Sequence, residues 1–230
     1  MGHRPDRTRL PGCDPVRDQG VDGLTLQNRV LPTGEIVAEP AYRGTVMGNR
    51  GILHDAQRRL GTARWRHKAW VCCALSFKGR QRKVMTPGTY TELFFLDEAV
   101  AMAAGHRPCA ECRRADYTRF ARAWATAAGQ PARAPGMDAA LHAARITPRT
   151  RDQLRHRADW ADLPDGAFAL DGGHACLVHG RTLYPFTVSG YGKPRARPAT
   201  GRALICTPAP MVDVLRAGYG PRLHPSMGGA

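Results

Sequence analysis

The sequence predicts an α+β fold in two parts: a small module of β-hairpins and a helix, then a helix-flanked small β-sheet or partial barrel. Three observations carry this. Short β-prone runs broken by Gly and Pro fill the chain before residue 97. A capped helix then ends in a glycine and a Cys-x-x-Cys turn. After a Gly- and Pro-bearing break near residue 130, glycine-bounded strand patterns resume at Phe168.

In chain order, Met1 to Gly23 is Arg-rich and broken by Pro5, Pro11 and Pro15, and reads as a basic flexible arm. Leu24 to Leu31 and Glu35 to Ala38 flank Pro32-Thr33-Gly34 and predict a hairpin. Gly44 to Met47 predicts a strand, Gly48, Asn49 and Gly51 a turn, and Ile52-Leu53 a further strand ending at His54. The basic stretch Asp55 to Lys68 reads as a loop or short helix, Ala69 to Phe77 as a strand, and Thr89 to Leu96 as the strand that enters the capped helix. Asp97 is its expected N-cap, Gly105 its left-handed stop, and Pro108 bars continuation. ADYTRFARAWATAAG sets Tyr117, Phe120, Trp124 and Ala128 on one helical face, a core stripe. Further helices are expected over Met137 to Ile146 and from the Thr147-Pro148 cap to about His156, and a short one from Met211 to Gly218. The expected divisions are the arm (1–23), a module with its N-terminal hairpin (24–129) and a C-terminal α+β lobe (137–230).

The 230 residues carry 34 Lys and Arg against 19 Asp and Glu, a net charge of +15, and most of the cations are Arg. Arg suits bidentate phosphate contacts, so a polyanionic partner is expected, nucleic acid before a membrane surface. No apolar run approaches the roughly 20 residues that span a bilayer. Seven cysteines, two of them adjacent, and an N-terminus without an apolar signal core point to a reducing cytoplasm.

Cys109 and Cys112 supply half of a tetrahedral zinc shell. Cys72 and Cys73 are strand neighbours on opposite faces, so only one can join them. Because Val71, Cys73 and Leu75 make the more apolar face, Cys72 is the expected ligand. His54, His67 and His106 compete for the fourth place, and His54, leaving a strand after a glycine turn, is preferred. Four protein ligands would make the site structural rather than catalytic.

The run FFLDEAVAMAAGHRPCAECRR resembles the metal-binding domain of Ada-type alkylation-repair proteins, and GNRGILH is similar to the His-bearing element of related zinc beads. The resemblance covers about residues 46–115. It implies one Zn2+ on His54, Cys72, Cys109 and Cys112, a zinc-stabilised hairpin and helix module, and a DNA-binding role in repair or damage recognition. In that family the methyl-accepting cysteine has a partner after three intervening residues. Ser76 and Phe77 stand where Cys72 and Cys73 would need theirs, so the resemblance does not extend to self-methylating repair.

Phosphate contacts are expected from Arg58, Arg59, Arg64, Arg66, Lys78, Arg80, Arg82, Lys83, Arg113, Arg114, Arg119 and Arg122, with DNA preferred over RNA. Two alternatives stand beside the DNA-binding reading. One is a nucleic-acid-processing enzyme, nuclease or glycosylase, with Asp138 orienting His142 as base and Arg145 stabilising charge. The other is a structural zinc protein whose charge is compositional. HACLVHG, with His174, Cys176 and His179, reads as an alternating strand rather than a second site.

Overall fold

The computed structural model describes residues 25–80, 83–147 and 152–228. The expected basic arm and Arg82 lie outside them. Among the described residues no helix is long and apolar enough to cross a membrane.

The first sheet is mixed. Its strands are β1 (Arg29–Val30), β2 (Ile36–Val37), β3 (Val46–Asn49), β4 (Val71–Cys73), β5 (Leu93–Phe95) and β6 (Arg107–Pro108), in the order β2-β1-β5-β3-β4-β6. β1 and β2 are the expected hairpin: Pro32 and Thr33 turn the chain, Gly34 takes a φ of 87°, and the Leu31 amide donates to Glu35 O at 2.9 Å. The strand expected at Ile52-Leu53 is reduced to a single bridge between His54 and Leu60. β4 pairs with β6 in parallel, Cys72 opposite Pro108, which sets the Cys-x-x-Cys turn beside the end of β4.

Helix α1 (Glu98–Ala103) is capped as its sequence requires, Asp97 Oδ1 accepting from the Val100 amide at 2.9 Å, and Gly105 follows at a φ of 85°. A side chain at Gly105 would lie 2.5 Å from Arg145 Cδ, so the glycine serves close packing as well as the turn. α1 is buried throughout because both sheets cover it: it touches β3 and β5 on one side and β8 (Phe168–Asp171) on the other. Its acidic start ties down the C-terminal segment. Asp97 Oδ2 accepts from Tyr191 Oη (2.7 Å) and the His224 amide (2.9 Å), and Glu98 accepts from Tyr219 Oη (2.6 Å) and the Arg222 amide (2.9 Å).

The second sheet is antiparallel. Besides β8 it holds β7 (His156–Asp159), β9 (His174–His179), β10 (Thr182–Thr187), β11 (Gly190–Tyr191), β12 (Arg195–Ala196) and β13 (Arg202–Ile205). Its order is β11-β10-β9-β8-β13-β7, with β12 also on β10. It is an open sheet and does not close into a barrel. Of the helix expected from Thr147 to His156, residues 148–151 lie outside the described residues, and the described part, 152–156, is not helical. Ile146 bridges Gln153, and His156 begins β7, paired with Ile205 of β13. RDQLRH has no apolar stripe for a helix to bury, and the chain from His156 onward finds a ladder of hydrogen bonds on the edge of β13. Pro148 of that expected helix lies outside the described residues.

Helices α2 (Arg114–Ala128), α3 (Ala134–Arg145) and α4 (Ala209–Arg216) pack together, burying Phe120, Trp124, Met137, Leu141, Met211, Val214 and Leu215 in one cluster. A second cluster joins Val100, Leu93 and Phe95 to Phe168, Leu177 and Cys206. Both clusters draw side chains from either side of residues 129–137, so the two segments share their cores.

Candidate metal centre and its basic surroundings

Two segments deliver three sulfurs to one place. β4 contributes Cys73, and the turn between β6 and α2 contributes Cys109 and Cys112. Their Sγ atoms all lie within 4.8 Å of one another, each half-buried. The Cys109 amide donates to Cys72 O at 2.9 Å, fixing the turn to the strand, and the Arg113 amide donates back to Cys109 O at 3.2 Å. The Glu111 amide points at Cys109 Sγ (3.4 Å). The Cys109 thiol is held below its ordinary pKa, chiefly by the hydrogen bond from Cys73, with backbone amides of Cys112 and Glu111 assisting. That same bond, in which Cys73 is the donor, pushes the Cys73 thiol up.

Zinc fits this donor set. Zn–S bonds of about 2.3 Å in tetrahedral geometry place sulfurs about 3.8 Å apart, which the 4.8 Å limit on the three sulfurs accommodates. Backbone N–H groups aimed at a sulfur favour the thiolate form that binds metal. Among the described residues Cys73, Cys109 and Cys112 are the group that could hold a metal ion.

Two expected ligands lie elsewhere. Cys72 is fully buried on the opposite face of β4, where Arg113 Nη1 donates to its sulfur at 3.1 Å, and burial pushes its thiol pKa up. Trp70 shares that face and is 2% exposed; one indole outweighs Val71 and Leu75 in choosing which side turns inward. Cys73, the residue passed over, therefore faces the Cys-x-x-Cys turn. His54 is buried with both ring nitrogens engaged, Nδ1 with Thr91 Oγ1 (2.7 Å) and Nε2 with Thr86 O (3.3 Å). His67 Nε2 meets Asn49 Oδ1 at 3.1 Å. His106 is buried between Trp70 and Phe95, its ring 5.2 and 4.6 Å from theirs.

The basic residues divide into two kinds. Arg113 is 7% exposed and bonds Glu98 (2.8 Å) and Asp116 (2.7 Å), so it organises the fold and is closed to phosphate. Exposed Arg59 and Arg119 pair with Asp55 and Asp116. Arg58, Arg64, Arg66, Lys78, Lys83, Arg114 and Arg122 face solvent wholly or in part and have no carboxylate partner among the described residues. The Lys78–Arg80 turn lies beside the Cys-x-x-Cys turn: Arg80 reaches Glu111, between the two cysteines, at 2.7 Å, and both cations pack on Phe77.

Asp138, His142 and Arg145 do not form the expected acid–base set. Asp138 is held by Arg107 through two bonds of 2.8 Å, which leaves it unavailable to orient His142. His142 packs against Trp65 and Trp70, its pKa lowered first by burial and then by Arg145. Arg145 is buried and donates to Gly105 O and Lys68 O (2.5 and 2.6 Å). In β9, His179 meets Asp165 at 3.4 Å while Cys176 is buried beneath Arg195, so these do not converge either.

No protein-family model, curated protein or solved structure matches the chain.

Proposed function

We propose that the chain is a zinc-holding, basic nucleic-acid-binding protein, in which one Zn2+ on Cys73, Cys109 and Cys112 pins the β4–β6–α2 junction and a surrounding cationic surface takes DNA. The convergence of the three sulfurs from two separated segments carries this reading. Among the described residues three cysteines leave the fourth position of a tetrahedral shell unfilled, so the structural part proposed for the metal rests on what it would tie together: strand β4 and the start of α2, beside the Lys78–Arg80 turn that meets Glu111. The net charge of +15 supports a polyanionic partner, and so do the exposed cations without carboxylates among the described residues, Lys78 and Arg114 nearest the cysteines in sequence. The resemblance to Ada-type zinc modules favours DNA and a role in repair or damage recognition, without methyl transfer to the protein.

Fluorescence anisotropy of a labelled DNA duplex, titrated with zinc-loaded protein at rising salt, tests the partner. Affinity should fall linearly in log–log form as counterions are released, and Arg114→Ala should reduce the slope by about 1. Absence of binding at low salt would remove the DNA reading.

A further inference from the structure

Away from the cysteines, a cavity of about 540 Å³ opens between the β1–β2 hairpin, the end of α3 and the chain leading into β7. That volume is within the range of small-molecule sites. Its wall holds Arg50, Arg64, Trp70, Arg145 and Arg155. Arg64 and Arg155 are exposed at its rim, whereas Arg50 is 3% exposed and Arg145 fully buried.

The two buried guanidiniums are unusual in what they lack. Both lie on the same indole, their Cζ atoms 4.1 Å (Arg50) and 3.7 Å (Arg145) from the Trp70 ring. Among the described residues Arg50 otherwise has only long contacts, 3.4 Å to both His106 Nε2 and Gly34 O, and its Nη2 has no partner. Nε of Arg145 likewise has none. No carboxylate lies within ion-pair distance of either among the described residues, for Asp138 is occupied by Arg107. Glu35 and Asp152 line the cavity, and Glu35 accepts from Thr33 Oγ1. Four guanidiniums thus face two carboxylates. Burial and then Arg64 press the guanidinium pKa of Arg50 downward, and burial, Arg50 and Arg107, against a weaker pull from Asp138, press that of Arg145 downward, as for cations with no counter-charge at ion-pair distance among the described residues. Arginine does not shed its proton under such pressure; an anion can supply the balance.

We infer that this cavity binds a phosphate monoester, with Arg50 and Arg145 supplying buried charge and Arg64 and Arg155 closing on the group from the rim. The phosphate could belong to a small ester or to the terminus of a nucleic-acid strand, since the recognising chemistry is the same. The site is separate from the metal centre and does not rest on the zinc reading.

The test is isothermal titration of the full chain with inorganic phosphate, repeated on Arg64→Ala, Arg155→Ala and Arg50→Met, beside a comparison of one oligonucleotide carrying a 5′-phosphate or a 5′-hydroxyl. Saturable binding is expected, weakened about tenfold by each rim variant, which leaves the core untouched, and further by Arg50→Met. Preference for the 5′-phosphorylated strand, lost in these variants, would assign the site to strand ends. Binding of inorganic phosphate without that preference would assign it to a small ester. The inference is overturned if phosphate does not bind and the two strands bind alike, or if all three variants bind as the parent does. Equal binding of both strands would still leave the proposed DNA surface standing.

Discussion

Arg107 and Arg113 are about as buried as Arg50 and Arg145, yet the chain treats the two pairs differently. Near the three-cysteine cluster each buried guanidinium meets carboxylates at 2.7 to 2.8 Å: Arg107 has Asp138, and Arg113 has Glu98 and Asp116. Around Trp70 the guanidiniums have an indole face and carbonyl oxygens, with unpartnered N–H groups left over. The first region is electrostatically closed and holds the fold. The second is electrostatically open, which is why charge alone does not separate structural arginines from binding ones.

The largest effect should come from opening the closed region. Asp138→Ala leaves Arg107 buried and unpaired and should cost about 3–5 kcal/mol in chemical denaturation. A loss below about 1 kcal/mol would erase the distinction between the regions. In the open region the sign is the informative quantity: Arg50→Met removes an uncompensated cation in favour of an apolar chain of similar length. Its stability without added anion should stay within about 1 kcal/mol of the parent. A loss comparable to that of Asp138→Ala would mean that Arg50 is already balanced. Smallest of all, a double-mutant cycle on Arg80 and Glu111, both well exposed, should give a coupling of about 0.2–1 kcal/mol that shrinks with salt.

What could be read from the sequence was local. The cap at Asp97, the left-handed stop at Gly105 and the turn at Pro32-Thr33-Gly34 each depend on a few neighbouring residues, and each is in place. The Cys109–Cys112 pair was legible for the same reason. The third sulfur was not, because choosing between Cys72 and Cys73 requires knowing which face of β4 goes inward; counting Val71 and Leu75 gave too little weight to Trp70. His54 looked available because Thr91 and Thr86, which occupy its ring, lie more than thirty residues along the chain. At the end of the helix expected over 147–156, His156 instead starts a strand on distant β13, which no local propensity reports. The arginine cavity was beyond reach altogether, since Arg50, Trp70 and Arg145 meet only in the folded chain.

The account turns on which neighbouring cysteine of β4 faces the Cys-x-x-Cys turn. Zinc content per chain, measured on the parent, Cys72→Ser and Cys73→Ser, tests it most directly. One zinc in the parent and in Cys72→Ser, with zinc lost or sharply weakened in Cys73→Ser, is the predicted result. A zinc-free folded parent, or zinc kept by Cys73→Ser and lost by Cys72→Ser, would contradict it.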